Sequence, residues 1–236
     1  MIPTIETFAD AKSWARACAT RLTDGLSASV KARGRAVFAG AGGSTPRPIY
    51  RAMSEAALDW SRIAVTLVDE RYVPESSPDS NARLLKRTLL PGPAAAARFV
   101  PLFHPSITVD RSALIAARAL GAEIGGIDVV LLGMGEDGHI CSMFPGSPTL
   151  ESLLSPHLQP TVLGVPAGRD GAAPSMERLS INLPYLVRAE RVILALTGDA
   201  KRTVFASEAA GDPVTRPIAA LIEAGVPLQV LWTETA

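Results

Sequence analysis

The chain has 236 residues, 47% of them hydrophobic, and its 23 Lys+Arg balance its 23 Asp+Glu to a formal net charge of zero. That length suits one large α/β domain spanning 1–236, able to bury roughly 70–75% of its unfolded surface without a metal or disulfide staple. The charge balance excludes a nucleic-acid partner held by a broad basic field, yet lets a few Arg and Lys converge on a small anion.

The N-terminal MIPTIETFADAKSWAR carries early acidic residues and no apolar h-region. No stretch approaches the roughly 20 apolar residues of a membrane span. The two cysteines, Cys18 and Cys141, are far apart and show neither CxxC nor Cys/His spacing. Neither a disulfide framework nor a structural zinc is therefore expected, and the sequence reads as cytoplasmic, without membrane association.

In chain order, Thr7–Ser29 has helical composition, with Phe8, Ala11, Trp14, Ala15, Cys18, Ala19 and Leu22 at i, i+3, i+4 spacing. Strands are predicted at Arg35–Ala39, Ile63–Val68, Ile127–Leu132, Arg191–Leu196 and Leu228–Trp232. Their near-continuous hydrophobicity suits strands of a parallel sheet covered on both faces. Further helices are predicted at Pro46–Ala57, Ser80–Leu89, Arg111–Gly121, Ala200–Ala209 and Thr215–Glu223. Pro91–Ala97 reads as a turn or loop, Leu179–Leu183 as extended, and Gly164–Pro174 as a surface loop beside a site. Strand–helix alternation implies a doubly wound α/β fold, a mostly parallel sheet with helices on both faces.

In such sheets ligands bind at the carboxyl ends of the strands, and three polar clusters follow predicted strands here. Gly40–Pro46 is a glycine-rich turn whose backbone can approach a ligand closely, with Ser44 or Thr45 expected to cap the following helix. Exposed N–H groups and the helix dipole would make it a phosphate cradle; a plain tight turn is the alternative. Asp69-Glu70-Arg71 is either a solvated charge run or an anion site, with Arg71 as cation and Asp69 or Glu70 orienting it. Ser80-Asn81 reads as a helix N-cap. Gly133–His139 is the strongest cluster, a loop of three glycines presenting Asp137 and His139 together. A general base near pH 7 is best a neutral imidazole, and a carboxylate beside it fixes the tautomer and stabilises the imidazolium formed. The other histidines, His104 and His157, make no metal-ligand spacing with it. Arg178 and Lys201 are either ordinary solvated charges or, if the glycine turn is a phosphate cradle, cations that the chain could return to the same sheet edge.

AGGSTP, DERYVP…PDSN, LLGMGEDGH…SMFPGSP, the Pro174-x-x-x-Arg178 segment and TGDAK, in that order, resemble the 6-phosphogluconolactonases from about Gly40 to Lys201. The resemblance implies a Rossmann-like fold related to the glucosamine-6-phosphate isomerases and no organic cofactor. It implies hydrolysis of 6-phospho-D-glucono-1,5-lactone to 6-phosphogluconate in the oxidative pentose phosphate pathway. His139 would then activate water with Asp137 as partner, while Gly42, Gly43, Ser44, Thr45, Asp69, Arg71, Arg178 and Lys201 bind or orient the phosphorylated substrate. The chain departs from the family at Ile140-Cys141-Ser142-Met143, usually Thr-Ala-Ser-Leu, and in a looser Pro174–Arg178 segment. Cys141 reads as a packing residue rather than a nucleophile. Two other readings stay open at this point: an isomerase or deaminase of the related type, and a non-catalytic sugar-phosphate sensor. Against the first, Phe144-Pro145-Gly146 lacks the Glu of the isomerases' Phe-Asn-Glu-Pro, and Arg71 replaces their usual tyrosine. The partner expected is a small phosphorylated sugar lactone; the oligomeric state is left open, a monomer being compatible.

Overall fold

The computed structural model describes residues 1–168 and 174–235. In chain order its elements are β1 (Ile5–Phe8), α1 (Ala11–Arg33), β2 (Ala36–Gly40), α2 (Arg47–Ser54), β3 (Ile63–Leu67), β4 (Asp69–Arg71), α3 (Asn81–Thr88), β5 (Arg98–Phe99), α4 (Val109–Glu123) and β6 (Val129–Leu132). There follow α5 (Leu150–Leu154), β7 (Val162–Val165), β8 (Arg178–Ile181), α6 (Leu183–Val187), β9 (Arg191–Thr197), α7 (Asp199–Ala209), α8 (Pro217–Glu223) and β10 (Leu228–Thr233).

Seven strands form a parallel sheet in the order β1-β10-β9-β6-β2-β3-β5, clothed by helices in a doubly wound arrangement. Every residue of β2, β3 and β6 is buried, which explains why they read as unbroken apolar runs. Helix α1 lays Trp14, Cys18, Leu22 and Leu26 against β2, β6, β9 and β10. Each large side chain so buried contributes roughly 1.5–3 kcal/mol. Trp14 also satisfies its indole N–H on the Leu231 carbonyl at 3.1 Å.

From β2 the chain runs outward through β3 to β5, and from β6 in the other direction through β9 to β10, beside which the first strand, β1, forms the edge. The strand order thus reverses between β2 and β6, and the crevice beyond the carboxyl ends of such a pair is the usual ligand position. The glycine turn after β2 and the Gly133–His139 loop after β6 both leave from this point. A second, antiparallel sheet, β4-β8-β7, sets Asp69–Arg71 directly across from Arg178–Ser180.

Several boundaries differ from the sequence expectations. Thr7 and Phe8 belong to β1, because Ile5–Phe8 finds a parallel partner in the distant β10. Helix α1 starts only after Asp10, whose carboxylate accepts from the Lys12 and Ser13 amides at 2.9 and 2.8 Å, and it ends at left-handed Gly34. Neither Ser44 nor Thr45 caps α2: Pro46 holds the N-cap without a side-chain bond, and the first turn closes through the Ser44 carbonyl. Strand β7, whose last two residues fall in the Gly164–Pro174 stretch read as a surface loop, exists through its pairing with β8. Within Gly164–Pro174, residues 169–173 lie outside the described residues. No helix of the described residues is long and apolar enough to cross a membrane.

Candidate active site

A cavity of about 220 Å³ opens at the switch point, lined among others by Gly42, Gly43, Ser44, Thr45, Asp69, Arg71, His139, Arg178 and Lys201. That is below the roughly 300–1,000 Å³ of drug-sized pockets and suits a small polar metabolite. All the residues expected from the sequence line it except Asp137, which stands behind His139 and bonds it.

The Gly133–His139 loop closes on itself, Gly135 N–H donating to the His139 carbonyl and Gly138 N–H to the Gly135 carbonyl. His139 Nδ1 lies 2.5 Å from Asp137 Oδ1, which leaves Nε2 as the ring nitrogen free for a proton from the cavity. This hydrogen bond is the main reason the Asp137 carboxyl sits below the usual carboxylate range, with burial opposing. The loop needs glycine at 138: φ is +84°, and a Cβ there would run into the carboxyl group of Glu208. Glu208, on α7, is buried and paired with Arg216 at 2.8 Å. Gly138→Ala is therefore expected to displace Asp137 and His139 and cut turnover at least ten-fold. Steady-state kinetics with an unfolding control would check this, and unchanged kcat would contradict it.

On the other wall, buried Asp69 accepts from the Ser142 hydroxyl at 2.7 Å and faces Arg178 Nη1 at 3.5 Å. Arg71 Nη1 donates to the Asp79 carbonyl at 2.9 Å and to Asn81 Oδ1. Asn81 in turn donates to the Asp69 carbonyl at 2.9 Å and fills the space where Gly42 lacks a Cβ. Arg71 and Arg178 are register partners on adjacent strands, a placement that repels unless an anion lies between them. Burial is the main cause that lowers the Arg178 pKa, and the neighbouring Arg71 adds to it. Both guanidinium Nε atoms are buried without a partner among the described residues.

Comparisons with known proteins identify the family. Residues 9–232 match the family model described as glucosamine-6-phosphate isomerases/6-phosphogluconolactonase. The chain belongs to that family. It is 40% identical over 227 residues to a 6-phosphogluconolactonase of Rhizobium meliloti (strain 1021), covering 95% of this chain and 96% of that one. It is 38% identical over 231 residues to that of Caulobacter vibrioides, covering 98% and 97%. Among solved structures, a 6-phosphogluconolactonase from Shewanella baltica OS155 superposes with a TM-score of 0.89 at 31% identity, covering 99% of both chains. A monomeric glucosamine-6-phosphate deaminase at 18% identity and TM-score 0.76 shares the fold.

Within this family frame the structure corrects one expectation and supplies residues that the sequence reading passed over. Neither Asp69 nor Glu70 orients the Arg71 side chain. Asp69 faces Arg178, whereas the Glu70 oxygens accept from the N-terminus of α3 and from the Arg71 amide, not from its side chain. Asn81, read as part of a helix cap, is the link between Arg71, Asp69 and the glycine turn, and nothing in its local sequence marks it as buried. Ser142 and Phe144 sit in the turn after His139, where the former holds Asp69 and the latter stacks on the imidazole. Cys141 lines the cavity at φ +51°, but burial drives its thiol well above the usual range, which leaves it a poor nucleophile.

Proposed function

We propose that the protein hydrolyses 6-phospho-D-glucono-1,5-lactone to 6-phosphogluconate, as one domain over 1–236 and by a route that calls on no cofactor. The observation that carries the reading is the Asp137–His139 pair opening into a small cavity lined by three cations, Arg71, Arg178 and Lys201. The names of relatives at 38–40% identity over nearly the whole chain support the same substrate. Facing arginines with unused donors match the phosphate and the developing oxyanion of a phosphorylated lactone.

In this mechanism His139 Nε2 takes a proton from water as the water oxygen bonds to the lactone carbonyl carbon. Asp137 accepts from Nδ1–H throughout and stabilises the imidazolium. Arg71 or amides of the glycine turns stabilise the oxyanion. Collapse breaks the bond between that carbon and the ring oxygen, which takes the proton from the imidazolium and becomes a hydroxyl. Gly42, Gly43, Ser44, Thr45, Arg178 and Lys201 hold the phosphorylated end, while Asp69 keeps Arg178 in place. Asp69 is the only carboxylate among the described residues lining the cavity, and it is already engaged by Ser142 and Arg178. That leaves none free to move a proton between two sugar carbons, which favours the lactonase over the isomerase.

The test is hydrolysis of freshly generated 6-phosphogluconolactone, read against its spontaneous opening. Fast enzymatic opening is expected; the blank rate would reject the reading, and ammonia release from glucosamine 6-phosphate would replace it. Lys201→Ala is expected to raise KM roughly ten- to a hundred-fold, the worth of one charge-assisted contact, with a much smaller change in kcat. A loss confined to kcat would move Lys201 from binding to chemistry.

A further inference from the structure

We propose that Phe144 is a positioning residue for both the base and a substrate-binding cation, one aromatic ring setting the plane of the His139 imidazole and supporting the Arg178 guanidinium. The inference rests on the reading of His139 as the general base. The ring centroids of Phe144 and His139 are 4.2 Å apart with planes inclined by 29°, a stacked pair. The Arg178 guanidinium carbon lies 5.6 Å from the same Phe144 centroid. Phe144 itself is only 7% exposed.

The backbone that delivers this ring is anchored at several points. Cys141, at φ +51°, turns the chain back on itself, and Met143 N–H closes the turn on the Ile140 carbonyl at 2.9 Å. Ser142 ties the turn to both strands of the opposite wall: its hydroxyl donates to Asp69 on β4 and its N–H donates to the Ser180 hydroxyl on β8 at 3.2 Å. Ser147 N–H then closes on the Phe144 carbonyl at 3.0 Å. Five residues after His139, the chain has returned an aromatic face to the imidazole.

The physical need for such a face follows from the geometry of the base. The torsion that turns an imidazole about its Cβ–Cγ bond has broad, soft wells, so one hydrogen bond to Asp137 leaves the ring free to tilt. A stacked partner removes that freedom and holds Nε2 toward the water it must deprotonate. When His139 takes the proton it becomes a cation over a π-face, an attraction stronger for imidazolium than for the neutral resting ring. That difference acts on the transition state and so on kcat. A leucine at 144 would fill much of the volume but supply neither flatness nor quadrupole.

Two variants and one spectrum test this. Phe144→Leu is expected to lose about ten-fold in kcat, with a smaller rise in KM through the loosened Arg178, while Phe144→Tyr restores most of the kcat. Thermal unfolding confirms that both are folded. Wild-type turnover in Phe144→Leu, or equal losses in both variants, overturns the proposal. The spectroscopic arm needs no turnover: the ring protons of His139, assigned by their loss in His139→Ala, should lie upfield of those of exposed His157. They should move back downfield in Phe144→Leu. Absence of that displacement in the wild type overturns the stack. Failure of the lactonase reading shows separately, as wild-type hydrolysis at the blank rate, with the spectrum still deciding the Phe144–His139 contact.

Discussion

Replacing His139 by alanine is expected to lower kcat for lactone hydrolysis by about 10²–10⁴-fold and to leave KM within a few-fold of wild type. The asymmetry follows from the division of the cavity. The cations that would bind the phosphorylated substrate stand on other elements, Arg71 on β4, Arg178 on β8 and Lys201 on α7, and none depends on the imidazole for its place. The imidazole side chain is 26% exposed, so its removal opens no deep void and should cost little stability. Initial rates against spontaneous ring opening decide the matter; near wild-type turnover would strip His139 of its role. The pH response sharpens the test. Asp137 is held below the ordinary carboxylate range, chiefly by its bond from His139. A carboxylate with a depressed folded pKa contributes fully above its unfolded value and loses that contribution only as pH falls through the depressed one. Mild acidification therefore leaves Asp137 ionised, and any loss of kcat that the Asp137–His139 pair causes there should vanish from the residual rate of His139→Ala.

Glu70→Gln should cost about 3 kcal/mol of stability, a fall in Tm of roughly 6–12 °C for a chain of this size, although it changes one atom. Glu70 is fully buried and its two oxygens meet four donors. Oε1 accepts from the amides of Arg71 and Asn81 at 2.8 and 2.7 Å, and Oε2 from the Ala82 amide and the Ser80 hydroxyl at 2.8 and 3.0 Å. Burial raises its pKa while the amide donors oppose the rise, so the carboxylate is expensive to hold and depends on all of them. Glutamine keeps one acceptor and turns an NH₂ toward amides that also donate, leaving buried N–H groups unpaired. Because the same amides belong to Arg71 and Asn81, the variant should also raise KM. Calorimetry or thermal denaturation, together with steady-state kinetics, would test the pair of effects; an unchanged Tm would mean that water or a local shift replaces the lost acceptor.

The sequence by itself determined the architecture and which polar residues gather at the strand ends. Strands such as β2, β3 and β6 are buried on both faces, which forces unbroken apolar runs, and the amphipathic stripe of α1 is the matching mark of a helix lying on such a sheet. Loops that bring backbone and side chains close to a ligand need glycine, so Gly42 and Gly138 stand out in the sequence itself. The spacing of Asp137 and His139, two residues apart in one tight loop, made their pairing a local matter that sequence distance could reveal.

Only the tertiary structure decided the contacts made across long separations. Strand β1 exists through β10, more than 200 residues away, and the small antiparallel sheet through pairing that joins Asp69–Arg71 to Arg178–Ser180. That sheet assigned Arg178 rather than Arg71 to Asp69 and set the two arginines side by side. Glu70 and Asn81 looked like a charge run and a helix cap because nothing local distinguishes a solvated polar residue from one fully buried among partners. Phe144 likewise shows in the sequence only as part of a loop motif until the turn at Cys141 brings it against His139. Periodicity and glycine record what a segment needs from its own backbone; a partner chosen from the far side of the fold leaves no such local trace.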